Sequence, residues 1–223
     1  MSIQLIIAFH FSLLIIVCQE WSMCDIYTGI EGKNMEITYV TGNWAKVLSA
    51  KMFFDPIGIK INNIKIDCPE IQADTFEKVA GYSAKYASDK LKCNVIKNDS
   101  GLVIPALKGF PGVYTHPVED MLGEDGILKL MEGITDRRAY FVECIAYCPY
   151  GGEPVTFTAR TYGTIACAKS GTHGWSWDYI FVPDGVDKTL ANYEDEERLK
   201  MWSTDALASL ADYLNKSNFK KII

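Results

Sequence analysis

The apolar run Ile37-Thr38-Tyr39-Val40 passes without a linker into Thr41-Gly42-Asn43-Trp44-Ala45-Lys46, and this junction constrains the chain more than any other. A buried strand that ends in a small polar loop and enters a helix points to a mixed α/β architecture. It also gathers backbone N–H groups and one cation, Lys46, at a single point, a setting suited to phosphate. The junction is neither a Walker loop, which needs Gly-x-x-x-x-Gly-Lys-Ser/Thr, nor a Gly-x-Gly-x-x-Gly dinucleotide turn. On these residues alone a plain helix start stays open, with Asn43 as N-cap and Lys46 a solvated charge.

Later segments extend the α/β pattern. Strands are expected over Glu36 to Val40, Ile57 to Ile66 and Asn94 to Lys97, with helices from Asn43 to Phe54 and from Asp74 to Leu91. A helix near Asp125 to Met131 precedes two long strands, Ala139 to Tyr147 and Val155 to Ala168. These pair as an antiparallel hairpin across Pro149-Tyr150-Gly151-Gly152, and the end is helical from Glu194. With 223 residues and no repeat or Pro- or Ser-rich linker, nothing demands two independent domains.

A formal net charge of −6 argues against nonspecific nucleic-acid binding, which needs a broad basic surface. Three histidines, His10, His116 and His173, do not build a zinc site. The seven cysteines are scattered, with no Cys-x-x-Cys pair, and read as reduced core residues. Ile3 to Val17 is apolar and uncharged, yet no Lys or Arg precedes it, as a signal peptide would require. Residues 1–34 are therefore expected to be a leader or upstream extension, with Met35 opening the domain 35–223. Cytoplasmic location without stable membrane association is the expectation, and secretion or tethering through the apolar stretch is the alternative.

The residues that carry chemistry sit in loops expected to follow strands. Glu70 follows one and Asp99-Ser100-Gly101 another. Two carboxylates beside a phosphate loop suit Mg²⁺, which takes one or two protein carboxylates plus substrate phosphates. Glu70 alone reads equally as a solvated loop acid, and Asp99 as a turn former. Trp175-Ser176-Trp177-Asp178, in a Gly-flanked loop, is either core packing or a platform that stacks on a purine and reads its edge. If that loop is extended, both tryptophans fall on one face.

Taken in order, these motifs resemble the inosine triphosphate pyrophosphatase family, the house-cleaning enzymes for non-canonical purine nucleotides. Thr41-Gly42-Asn43 with Lys46 is similar to Thr-Gly-Asn-x-x-Lys, Asp99-Ser100-Gly101 to Asp-Ser/Thr-Gly, and Trp175-Ser176-Trp177-Asp178 to Phe-Gly-Trp-Asp. Lys108 to Val113 and Pro183-Asp184-Gly185 fit the intervening stretches, and the resemblance runs from Met35 to Leu214. It implies an elongated curved mixed sheet flanked by helices in two lobes, with a nucleotide cleft between them and usually a dimer. The implied reaction is Mg²⁺-dependent hydrolysis of inosine, deoxyinosine or xanthosine triphosphate to monophosphate and pyrophosphate. Glu70 and Asp99 would hold the metal, with Asp99 and Lys46 catalytic. Thr41, Gly42, Asn43, Lys46, Ser100, Trp175, Ser176, Trp177, Asp178, Arg198, Ser203 and Thr204 would bind substrate.

Departures accompany the matches. Asn98 stands where the family has a second acid beside the catalytic aspartate, and Arg198 replaces a lysine. The closing Ser-His-Arg appears as Trp202-Ser203-Thr204, and two expected lysines fall at Tyr82 and His116. These losses touch base selection more than metal chemistry, so altered base preference is expected. The alternatives are a nucleotide-binding pseudoenzyme with little turnover and an extracytoplasmic nucleotide scavenger.

Overall fold

The computed structural model describes residues 35–219, so the apolar segment Ile3 to Val17 lies outside the described residues. Strand β1 (Met35–Val40) buries Ile37, Tyr39 and Val40. Helix α1 (Trp44–Phe54) begins where the Asn43 side chain accepts the Ala45 and Lys46 N–H groups at 3.0 and 3.3 Å. Asparagine at this position offers the exposed helix end the acceptor it lacks. A 3₁₀ turn with Pro56 and a left-handed Gly58 then redirects the chain into β2 (Ile59–Ile64).

Helix α2 (Phe76–Leu91) is capped by Thr75 and leads to β3 (Val95–Val103). Helix α3 (Thr115–Leu130) follows, broken at Gly123, and then the long pair β4 (Arg138–Cys148) and β5 (Val155–Ile165). Short β6 (Phe181–Pro183), α4 (Asp195–Lys200) and α5 (Asp205–Phe219) complete the chain. The strands form one open sheet of six in the order β2-β1-β3-β4-β5-β6. β2, β1 and β3 run parallel, and β3 to β6 pair antiparallel.

Three apolar clusters divide the interior. One joins α1 and α5 to one face of the sheet through Tyr39, Phe54, Ile96, Ile145 and Leu210. A second packs α2 on the opposite face against Val95, Cys144 and Ala146. The third gathers Leu102, Ile127, Trp177 and Phe181 into a second lobe around α3 and β6. Burying each large side chain contributes about 1.5–3 kcal/mol, so both faces and the far end of the sheet are firmly covered.

Three expectations are corrected. β3 does not stop at Lys97: it pairs with β4 from Val95↔Cys148 to Val103↔Tyr140, so Asp99-Ser100-Gly101 lies inside a strand rather than in a loop after it. The helix expected near Asp125 begins ten residues earlier, because the 3₁₀ turn Gly112–Tyr114 starts it and the kink at Gly123 interrupts its periodicity. The strand expected over Ile57 to Ile66 is shorter, Ile59–Ile64, since Pro56 and Gly58 form the preceding turn.

Candidate active site

Pairing between β1 and β3 is limited to Thr38↔Val95 and Tyr39↔Ile96. β1 then ends, and β3 continues for seven more residues with its flank free of β1. Thr41, Gly42 and Asn43 turn away at this point. The Asn63 side chain holds the turn by donating to the Tyr39 and Thr41 carbonyls, each at 3.0 Å. Parallel order that opens at the carboxyl end of a strand is the usual seat of a ligand in open α/β sheets.

The loop is not the nest of free amides that its sequence suggests. The Asn43 N–H donates to Thr41 Oγ1 at 3.0 Å, and Asn43 takes up the amides of Ala45 and Lys46. Capping therefore takes up these amides, and Lys46 is the cation the helix start carries. α1 has no acid in its first turn and places this lysine there instead, the reverse of what the helix dipole favours.

Lys46 Nζ donates to Ser100 Oγ at 3.3 Å. Burial pushes its ammonium below the usual lysine range, while Glu143 and Asp99 pull it back up. Asp99 lies on the other face of β3. Burial raises its carboxyl to about 6, against the lowering effect of the Ser100 N–H and Lys46, and the nearby Glu70 raises it further. Asp99 Oδ1 accepts the Ser100 N–H at 3.1 Å, whereas Oδ2 is buried with no partner. Lys46, Glu70, Asp99 and Ser100 thus meet around the open flank of β3.

An orphaned buried carboxylate oxygen facing an exposed glutamate fits a hard cation. Among the described residues no three His, Cys, Asp or Glu side chains gather as a metal site. A cation here would take two carboxylates and complete its shell from phosphate and water, the habit of Mg²⁺. Gly101 explains the tight build: a Cβ there would run into Thr115 Oγ1 and the Gly112 carbonyl. A groove of about 670 Å³ lies beside this packing, between Gln72 to Asp74 and the loop Lys108 to Tyr114.

A second cluster forms around Trp175. The two tryptophans do not share a face, because Ser176–Tyr179 is a 3₁₀ turn entered through a left-handed Ser176. Trp175 is 62% exposed and Trp177 only 4%. Arg198 Nη1 donates to Asp178 Oδ2 at 2.5 Å, Nη2 pairs with Asp195, and the guanidinium lies 5.6 Å from the Trp175 ring centroid. Burial raises the Asp178 carboxyl even though the Trp175 N–H and Arg198 oppose it. Gly174, at φ 73°, lies against Arg198 and Asp178 so closely that no side chain fits.

Ser203 and Thr204 stand at the start of α5. Ser203 Oγ accepts the Asp205 N–H at 3.2 Å, and the Thr204 carbonyl accepts from Ala208, so both start α5. Ser203 N–H donates to Thr161 on β5. Among the described contacts none joins Ser203, Thr204 or Trp175 to the Lys46 cluster. The residue that sequence reasoning missed is Glu143. It sits in β4 opposite Ser100, and its signal was a lone carboxylate within the apolar run Phe141-Val142-Glu143-Cys144-Ile145-Ala146.

An open mixed sheet with helices on both faces, a lysine-and-carboxylate cluster where β1 stops and an aromatic platform in a second lobe define an α/β protein built around a cleft for a charged ligand. The chain belongs to the Ham1 family, whose profile matches residues 37–213. It is 42% identical over 180 residues to a dITP/XTP pyrophosphatase of Methanopyrus kandleri, covering 80% of this chain and 96% of that protein. A protein of the same name from Thermococcus kodakarensis is also 42% identical, over 83% of this chain and all of its own length. Among solved structures, the Ham1 protein of Staphylococcus aureus superposes with a TM-score of 0.70 at 29% identity, covering 82% of this chain and 99% of that one.

Proposed function

We propose that this protein hydrolyses non-canonical purine nucleoside triphosphates, dITP, ITP and XTP, to the monophosphate and pyrophosphate. It is a hydrolase of the triphosphate anhydride. The observation that carries the reading is the meeting of Lys46, Ser100, Asp99 and Glu70 at the open flank of β3, with Asp99 Oδ2 lacking a partner. The relatives named dITP/XTP pyrophosphatase support the substrate class.

In this mechanism Glu70 and Asp99 would hold Mg²⁺, which when bound would supply charge neutralisation at the phosphates. Lys46 is aimed by Ser100 at the phosphate oxygens and stabilises the charge that grows as the anhydride breaks. Asp99 also orients the water that attacks the α-phosphorus, the bond to the β-phosphate breaks and pyrophosphate leaves. The exposed Trp175 ring, backed by Arg198, stacks on the base, with Ser176, Trp177 and Asp178 shaping that platform. Ser203 and Thr204 are engaged at the start of α5, which supports a relaxed base preference.

The protein is proposed to act in the cytoplasm, which the free cysteines Cys68, Cys93, Cys144, Cys148 and Cys167 support. No helix among the described residues is long and apolar enough to cross a membrane. Exposed Met121, Leu122 and Leu130 on α3 support a homodimer. The test of the function is pyrophosphate release from inosine, xanthosine, guanosine and pyrimidine triphosphates with Mg²⁺. Release greatest from the inosine and xanthosine triphosphates and lost in Asp99→Asn is expected; no release from any of them ends the reading.

A further inference from the structure

Register places Ser100 opposite Glu143 and Asn98 opposite Ile145. Residues directly opposite on neighbouring strands share a face, and Ile96 and Ile145 belong to the cluster under α1. Asn98, Ser100 and Glu143 therefore line the α1 side of the sheet, where Lys46 descends on Ser100 at 3.3 Å. Asn98 Nδ2 donates to Glu143 Oε1, also at 3.3 Å. Glu143 is half-buried, and its charge is felt by both Lys46 and Tyr39. A half-buried carboxylate is costly unless something answers it, and here a lysine and an amide do.

We propose that Glu143 is a positioning residue for Lys46, and that Asn98 is its matched partner rather than a defect in the site. Glu143 supplies a fixed negative charge on the face of β3 opposite Asp99, so the lysine lies over Ser100 in the field of two carboxylates that favour its protonated form. Asn98 orients Glu143 by donating to it. An acid at position 98 would set two carboxylates within hydrogen-bonding distance in a partly desolvated strip, where like charges cannot both ionise freely. The negative charge that Asn98 forgoes is thus carried one strand over.

The inference rests on the reading of Lys46 as the phosphate-binding cation only for its effect on rate; the pairing itself is measurable without substrate. The experiment compares Glu143→Gln, Asn98→Asp and the double variant Asn98→Asp/Glu143→Gln. First, Lys46 is titrated by NMR in protein bearing reductively dimethylated lysines, with the signal assigned through Lys46→Arg. The groups that face it are Glu143, Asp99 and Lys97. Its midpoint should fall in Glu143→Gln and return toward the native value in the double variant. An unmoved midpoint overturns the proposal, whatever the enzyme's activity.

Second, kcat/KM is measured on inosine triphosphate. Glu143→Gln should lose on the order of tenfold, less than the 10²–10³ typical of removing an electrostatic donor outright. Asn98→Asp alone should lose activity and thermal stability, and adding Glu143→Gln should restore part of both. A gain of activity in Asn98→Asp with Glu143 intact would overturn the matched-pair assignment. Absence of activity in native protein would refute the proposed function and leave the NMR titration to decide the pairing.

Discussion

The cluster at the flank of β3 and the cluster around Trp175 are built on opposite electrostatic plans. Around Asp99, charge is left unfinished: one carboxylate oxygen is buried without a partner, Glu70 is exposed, and half-buried Lys46 has its ammonium pushed below the usual range by desolvation. Around Trp175 charge is closed: Arg198 and Asp178 neutralise each other below an open aromatic ring. The first region leaves a carboxylate oxygen unanswered, whereas the second pairs its opposite charges and leaves only the donors Arg198 Nε and Trp177 Nε1 and the Ser176 hydroxyl without partners. Substitutions in the first should therefore strike chemistry, and those in the second should strike stability or grip.

The largest separation comes from Asp99→Asn. Pyrophosphate release should fall by at least about 10²-fold, the scale of losing a group that stabilises developing charge, while the protein melts higher than native at pH 8. Burial holds the Asp99 carboxyl at about 6 against an ordinary 3.8, so the folded state binds that proton more tightly than the unfolded one. The resulting stability is complete below about pH 4 and is lost as pH rises through 6. The melting gap between Asp99→Asn and native protein, followed by calorimetry without metal, should close toward pH 4.

Arg198→Ala should behave in the opposite way. It leaves Asp178 buried without its cation, and breaking such a pair costs about 3–5 kcal/mol, readable by urea unfolding. Trp175→Ala is milder: the ring is largely exposed, so melting should hardly change. Stacking worth about 1–3 kcal/mol per base should appear as a KM raised roughly tenfold with kcat little altered. The smallest effect concerns cation affinity, which should weaken as pH drops below about 6, because a proton competes for Asp99. Titration calorimetry with Mg²⁺ at pH 5 and pH 8 measures it. A Trp175→Ala variant that unfolds, or an Arg198→Ala variant as stable as native, would erase the contrast.

The sequence announced the first region better than the second. Strand, cap and lysine between Ile37 and Lys46 are local, so their pattern was legible, as was the long β4–β5 hairpin. The extension of β3 through Asn98-Asp99-Ser100 was not, since a polar run looks like a loop until β4 supplies its partners along the whole length. Trp175 and Trp177 were separated by a left-handed Ser176, a backbone choice that residue spacing does not reveal. Glu143 belongs to the site only through its register opposite Ser100, and register between distant strands is written in the assembled sheet rather than in either segment.

The brevity of β1 beside β3 has a consequence for how such a protein can change. Two rungs of ladder hold these neighbours together, and the proposed cleft opens where a third and fourth rung would go. Extending β1 by a pair of residues would zip the gap shut with hydrogen bonds, leaving a sturdier sheet without the opening proposed to take the triphosphate. The place where the sheet declines to finish itself is the doorway of the molecule.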